Sequence, residues 1–201
     1  MNELKGIRHT VAPDRVEAAT FLCAAGLTKG KVTVNGISEK FLTSALEVLK
    51  KIGVKITASE NQVTAEYVGE LKPVNFSTEP FPGFPTDMQA QFMALLTQAN
   101  GTSVVNETIF ENRFMHVPEL NRLGAKISIK GNQATVEGPT PLTGAIVMAT
   151  DLRASASLVI AGLAAKGETI LRRIYHLDRG YEQIELKLAG LGANIYREFE
   201  K

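Results

Sequence analysis

Asp87 ends the run Pro80-Phe81-Pro82-Gly83-Phe84-Pro85-Thr86, a proline- and glycine-rich stretch directly before an apolar segment. A carboxylate held on a stiff loop at a helix entrance is suited to hydrogen-bond a bound hydroxyl and accept its proton. The same position suits an N-cap, whose side-chain oxygen satisfies the free N–H groups of a first helical turn. Asp14 and Asp151 stand at comparable places after the shorter Ala12-Pro13 and Ala149-Thr150, and Asp14-Arg15-Val16-Glu17 has capping-box spacing. For Asp14 the residues favour the cap. For Asp87 they leave both readings open.

Arg113 and Arg179 lie in Glu111-Asn112-Arg113 and Asp178-Arg179-Gly180, each just before a predicted amphipathic helix. A guanidinium beside the free N–H groups of a helix entrance offers a forked, positively charged seat for phosphate or carboxylate. Arg15 and Arg153 lie one and two residues after Asp14 and Asp151 and are predicted to share that end of the fold. The competing reading is that each arginine pairs with its neighbour, Glu111 or Asp178, on a solvated surface. His9, His116 and His176 make no metal-ligand spacing, so no metal is expected. Cys23 lies inside an apolar run and reads as a buried, inert thiol. No glycine-rich phosphate loop of the Walker or dinucleotide type is present, and no cofactor is expected.

The elements that must position these residues recur along the chain. Leu49-Lys50-Lys51-Ile52-Gly53-Val54-Lys55-Ile56 returns as Leu120-Asn121-Arg122-Leu123-Gly124-Ala125-Lys126-Ile127 and as Leu188-Ala189-Gly190-Leu191-Gly192-Ala193-Asn194-Ile195. Asp14, Asp87 and Asp151 each open an apolar stretch that ends at Gly30, Gly101 and Gly167. Asn61-Gln62-Val63-Thr64-Ala65-Glu66 returns 71 residues later as Asn132-Gln133-Ala134-Thr135-Val136-Glu137.

Each unit therefore reads as helix, strand, helix and β-hairpin. The first helix, Val16 to Leu27 or Ala154 to Ala165, is apolar nearly all round and is predicted to lie inside. The second sets Phe41, Leu42, Ala45, Leu46, Leu49 and Ile52 against Lys40, Glu47, Lys50 and Lys51, and its glycine is predicted to cap it in the left-handed conformation. Alternation at Val63, Ala65 and Tyr67 predicts sheets with one wet face. Only nine residues follow Gly192, so the third unit is expected to lack its hairpin, with Leu4 to Val11 supplying at most one matching strand. The chain is expected to be a piece of a longer polypeptide.

With 201 residues, 44% hydrophobic and 21% charged, disordered and collagen-like chains are excluded. The net charge of +1 gives no global field for nucleic acid or an anionic membrane, so neither partner is expected. The lone cysteine rules out an internal disulfide and fits a reducing, cytoplasmic setting. No apolar run reaches the roughly 18 residues of a membrane span.

Four strings together resemble the UDP-N-acetylglucosamine 1-carboxyvinyltransferases, bacterial enolpyruvyl transferases of peptidoglycan precursor synthesis. They are Phe84-Pro85-Thr86-Asp87-Met88-Gln89-Ala90-Gln91, Glu111-Asn112-Arg113-Phe114-Met115-His116-Val117-Pro118-Glu119-Leu120, Ala149-Thr150-Asp151-Leu152-Arg153-Ala154-Ser155 and Tyr175-His176-Leu177-Asp178-Arg179-Gly180-Tyr181-Glu182. The resemblance runs from about His9 to Ile195. It implies an α/β (α+β) domain of three βαβαββ repeats in pseudo-threefold arrangement, helices inside and sheets outside, the third repeat incomplete. The whole chain, residues 1–201, would be one such domain, with repeats at about 4–70, 71–138 and 139–201. The second domain of the family, from the N-terminal half of the enzyme, would be absent.

The resemblance further implies phosphoenolpyruvate and UDP-N-acetylglucosamine as substrates, with phosphate released and a bacterial cytoplasmic location. Asp87 would be the base for the sugar 3-hydroxyl and, with Thr86, would contact the acceptor. Ile109 would touch the UDP-sugar largely through its backbone, Arg113 would lie near the sugar nucleotide, and Asp151 and Arg153 would line the same cleft. Arg179 would reach phosphoenolpyruvate on cleft closure. The family's general-acid cysteine and its lysine-asparagine pair belong to the other domain, and Cys23 matches neither, so the isolated chain is expected to be inactive. The rival expectations are a domain of the shikimate-pathway enolpyruvyl transferase and a non-catalytic sugar-nucleotide-binding module.

Overall fold

A computed structural model describes residues 6–198. Its first unit contains α1 (Arg15–Leu27), β1 (Lys31–Asn35), α2 (Thr43–Ile52), β2 (Val54–Ser59) and β3 (Gln62–Tyr67). The second contains β4 (Phe76–Ser77), α3 (Gln89–Leu96), β5 (Gly101–Asn106), α4 (Val117–Arg122), β6 (Lys126–Lys130) and β7 (Gln133–Gly138). The third contains β8 (Ile146–Met148), α5 (Leu152–Ala164), β9 (Ile170–Arg172) and α6 (Ile184–Gly190).

Helices α1, α3 and α5 touch one another pairwise at the centre. They carry the side chains that such a position demands: α1 is buried from Val16 to Leu27 apart from Glu17, and α3 is buried at every residue. A helix with no wet face must be surrounded, and the sheets do so. In the first sheet, ordered β1-β3-β2, Val32 faces Ala65 and Val34 faces Val63 across an antiparallel register, with Val63 and Ala65 wholly buried. The alternate residues of β1 are exposed, so one face is dry and the other wet. The second sheet repeats this as β4-β5-β7-β6, with β4 added parallel to β5. The third sheet is a parallel pair, β8-β9, and among the described residues it has no hairpin like those of the other two.

Helix α2 is amphipathic as predicted, burying Ala45, Leu46, Leu49 and Ile52 and exposing Glu47, Lys50 and Lys51. Gly53 ends it at φ 102°, where the added Cβ of any other residue would lie 2.9 Å from the Glu70 carbonyl oxygen. Gly124 and Gly192 repeat this geometry at φ 95° and 96°.

Three expectations need correction. Phe41 is not on the buried face of α2. It falls in a preceding 3₁₀ turn, Glu39–Phe41, and is exposed because the chain bends at Leu42 before the helix starts. The candidate strand at Leu4 to Val11 falls partly outside the described residues, and among those described, 6–11, there is no strand. The capping box at Asp14 is half made. Asp14 accepts from the N–H groups of Val16 and Glu17, but the Glu17 carboxylate turns away to Lys187 Nζ at 2.6 Å.

Candidate functional site

Helices α1 and α5 begin in the same way, and α3 does not. Asp14 caps α1, with its Oδ1 2.7 Å from Val16 N, and Asp151 caps α5, with its Oδ1 2.8 Å from both Arg153 N and Ala154 N. Before α3 the extended backbone of Pro85 leads into a 3₁₀ turn, Thr86–Met88, and no side chain caps the helix. The longer loop thus leaves the Asp87 carboxylate off the helix axis and free for other partners. Between the two readings of Asp87, the cap is not the one adopted.

Those partners are arginines distant in sequence. Arg113 Nη2 lies 2.6 Å from Asp87 Oδ1, and Arg153 Nε lies 3.8 Å from Asp87 Oδ2. Arg153 Nη1 is also 3.8 Å from Asp14 Oδ2. The guanidinium of Arg153 therefore sits between two carboxylates without a short bond to either. Arg113 is stacked over Phe110, its Cζ 5.1 Å from the ring centroid, and Arg15 lies over Phe81 at 5.5 Å.

Asp87, Arg153, Asp14, Arg15 and Phe81 border an open groove of about 740 Å³ whose walls also include Thr86 and Ile109. A carboxylate, guanidinium groups and exposed aromatic rings around one concavity suit a polar, hydroxyl-bearing ligand that also carries negative charge.

Three of the predicted residues do not line the groove: Arg113 reaches it only through Asp87, and Asp151 and Arg179 stand elsewhere. Asp151 contributes to the groove only by capping the helix that carries Arg153, and it does not line the groove itself. Arg179 is exposed at the end of a 3₁₀ segment, Ile174–Arg179, away from the groove walls. It does not pair with its neighbour Asp178, which instead binds Arg197 at 2.7 and 3.0 Å. Arg113 likewise ignores Glu111 in favour of Asp87.

A carboxylate not singled out in the sequence organises the groove. Glu107 is 2% exposed and accepts five hydrogen bonds, from Thr78 Oγ1, Thr86 Oγ1, Gln89 Nε2, Ile109 N and Phe110 N, at 2.7 to 3.1 Å. These bonds offset the cost of burying the charge. A sequence signal for it exists: a 71-residue shift places Gly36 of the first unit opposite Glu107, so the repeats differ here, a glycine in one and a carboxylate in the unit with the long Pro80–Pro85 loop.

Beneath the groove, Tyr181 shares a buried polar cluster with Thr20 Oγ1 at 2.9 Å and Gln91 Nε2 at 3.2 Å, and burial pushes its hydroxyl pKa up. His116 is enclosed behind Arg113, and burial holds its imidazole down at about 4. Cys23 is wholly buried in α1, and burial pushes its thiol pKa upward, which makes it a poor nucleophile.

The central trio of helices wrapped by repeated sheets is the domain architecture of the enolpyruvyl transferases. The crystal structure of the enolpyruvyl transferase NikO from Streptomyces tendae matches with a TM-score of 0.86 at 34% identity, over 94% of this chain and 45% of that one. EPSP synthase from Acinetobacter baumannii has the same fold, with a TM-score of 0.73 at 17% identity, over 90% of this chain and 46% of that one.

Residues 1–188 match the family model of EPSP synthase (3-phosphoshikimate 1-carboxyvinyltransferase), and the chain belongs to that family. Among curated relatives, the UDP-N-acetylglucosamine 1-carboxyvinyltransferase of Pelagibacter ubique is 54% identical over 98% of this chain and 47% of its own length. The protein of the same name from Trichlorobacter lovleyi is 56% identical over the full chain and 48% of its own length. The chain spans about half the length of the curated relatives it matches. Among the described residues no helix is long and apolar enough to cross a membrane.

Proposed function

We propose that this chain is one domain of an enzyme that transfers the enolpyruvyl group of phosphoenolpyruvate to the 3-hydroxyl of UDP-N-acetylglucosamine, releasing phosphate, as the first committed step of bacterial peptidoglycan synthesis in the cytoplasm. A second domain, from the rest of a longer polypeptide, supplies the remaining half of the active site. The observation that carries this reading is the Asp87 carboxylate, released from helix capping and fixed at the groove by Arg113.

Asp87 Oδ1 is taken by Arg113, whereas Oδ2 has only the longer approach of Arg153. Oδ2 is the atom that accepts the acceptor's proton as the oxygen bonds to the enolpyruvyl carbon, because an alcohol is too weak a nucleophile to attack while protonated. Ile109 gives its N–H to Glu107, so its carbonyl is the backbone group left to meet the sugar nucleotide. Arg153 and Arg113 present positive charge to an anionic intermediate and its phosphate. Thr86 is held beside Asp87 by Glu107, and Asp151 orients Arg153 by capping α5. Arg179, exposed and unpaired among the described residues, is assigned to phosphoenolpyruvate, which it would meet when the two domains close.

The preference for the amino-sugar acceptor over a shikimate phosphate rests on relatives 54% and 56% identical over nearly the whole chain, against 17% for the EPSP synthase structure. The test is reconstitution of the chain with the complementary half of such a relative. Phosphate release that requires both phosphoenolpyruvate and UDP-N-acetylglucosamine is the expected result. Release with 3-phosphoshikimate in its place would refute the acceptor, and a complex that forms without any turnover would favour a non-catalytic module.

A further inference from the structure

The two oxygens of Glu107 serve different loops. Oε1 accepts from Thr78 Oγ1 at 2.8 Å and from the N–H groups of Ile109 and Phe110 at 2.9 and 3.1 Å. Oε2 accepts from Thr86 Oγ1 at 2.9 Å and Gln89 Nε2 at 2.7 Å. The backbone of Glu107 is itself fastened, its N–H to the Asn132 carbonyl at 2.8 Å and its carbonyl to Asn132 Nδ2 at 3.1 Å. Thr78, Gln89 and Glu107 are all at least 98% buried. One charged group, rooted in the β6-β7 turn, is thus clamped between the segment that carries Asp87 and the segment that carries Ile109.

We propose that Glu107 is a positioning residue which sets the spacing between the Asp87 carboxylate and the Ile109 carbonyl, the two groups that meet the acceptor. Its effect on the acceptor rests on the function proposed above, whereas its effect on the loops does not. Five donors converge on it, so no neutral side chain satisfies the site equally well. A glutamine keeps one oxygen for the Ile109 side and turns an NH2 group toward Thr86 and Gln89. Alanine removes both supports.

The experiment is amide hydrogen exchange and NMR on the 201-residue chain and its variants. Glu107→Gln is expected to shift the amides of Thr86 to Gln89 and speed their exchange while Ile109 and Phe110 keep theirs. Glu107→Ala is expected to speed exchange in both segments by at least about ten-fold, the equivalent of one hydrogen bond, with the β5-β7 ladder changed by less than about two-fold. If Glu107→Ala does not fold, Thr86→Val takes its place and is expected to reproduce the Glu107→Gln pattern. Loops unchanged in these variants, or ladder amides accelerating in step with the loops, would overturn the proposal.

Adding UDP-N-acetylglucosamine separates the two readings. Wild-type shifts at Asp87 and Ile109 that weaken in Glu107→Gln support both, and shifts of equal affinity in the two proteins overturn the link to the acceptor. A wild-type chain that does not respond counts against the acceptor reading, while the exchange pattern still decides whether Glu107 fixes the loops.

Discussion

Arg113 reaches across 26 residues of sequence to place its Nη2 2.6 Å from Asp87 Oδ1, joining the loop before α4 to the turn before α3. The Asp87 side chain is 43% exposed, so the pair is partly solvated and contributes at most about 1 kcal/mol to folding. Asp87→Asn is therefore expected to leave the melting temperature nearly unchanged while lowering turnover of the reconstituted enzyme by about 10²- to 10⁴-fold, the range for loss of a general base. Thermal melts and phosphate release on the same preparations check both halves of this statement, and a variant with ordinary turnover would remove Asp87 from the chemistry.

The three aspartates that look alike in sequence are expected to behave differently. Asp14→Ala and Asp151→Ala each remove a side-chain cap and should cost about 1 kcal/mol in urea unfolding. Asp87→Ala removes no cap and should cost less. Equal losses at all three positions would mean that Asp87 supports its helix after all.

His116 makes stability depend on pH. Its imidazole is held at about 4 in the folded protein by burial, against about 6.5 in the unfolded chain. The unfolded state therefore binds the proton first on acidification. The contribution is fully present above pH ~6.5 and is lost as pH falls toward ~4, on the order of 3 kcal/mol in all. Urea midpoints of wild type and His116→Gln measured from pH 7.5 to 4 should show the smaller loss in the variant over that window, and parallel curves would contradict the assignment.

Tyr181→Phe deletes the hydroxyl that meets Thr20 and Gln91 in the buried cluster under the groove. Gln91 Oε1 is already a buried acceptor without a partner, and the deletion leaves Gln91 Nε2 with only its 3.2 Å contact to Thr20 Oγ1. A loss of about 1–3 kcal/mol is expected from equilibrium unfolding. A neutral substitution would show that the cluster relaxes.

Much of the frame was legible because it is dictated by local pattern. The all-apolar run from Val16 to Leu27 demands enclosure, Gly53, Gly124 and Gly192 mark left-handed helix ends, and the repeat of Asn61-Gln62-Val63 at Asn132-Gln133-Ala134 marks the hairpins. The site was legible in its residues and less so in its pairings. Glu111 and Asp178 lie beside Arg113 and Arg179 in sequence, but the backbone turns that direct each side chain are set by tertiary contacts, which send Arg113 to Asp87 and Asp178 to Arg197. The role of Glu107 is not legible in the sequence because a carboxylate after a strand usually faces water. Only the fold closes Thr78, Gln89 and the Thr86 turn over it. Phe41 misled because helical spacing continues through a bend that spacing alone does not reveal.

The most direct test of the central claim, that the groove at Asp87 holds the acceptor of an enolpyruvyl transfer, is a backbone-amide NMR titration of the chain with UDP-N-acetylglucosamine, with 3-phosphoshikimate as the control. Shifts are expected to concentrate at Thr86, Asp87, Ile109 and Arg113 with the sugar nucleotide alone. No shift at those residues at millimolar ligand, or the same shifts with the shikimate phosphate, would contradict it.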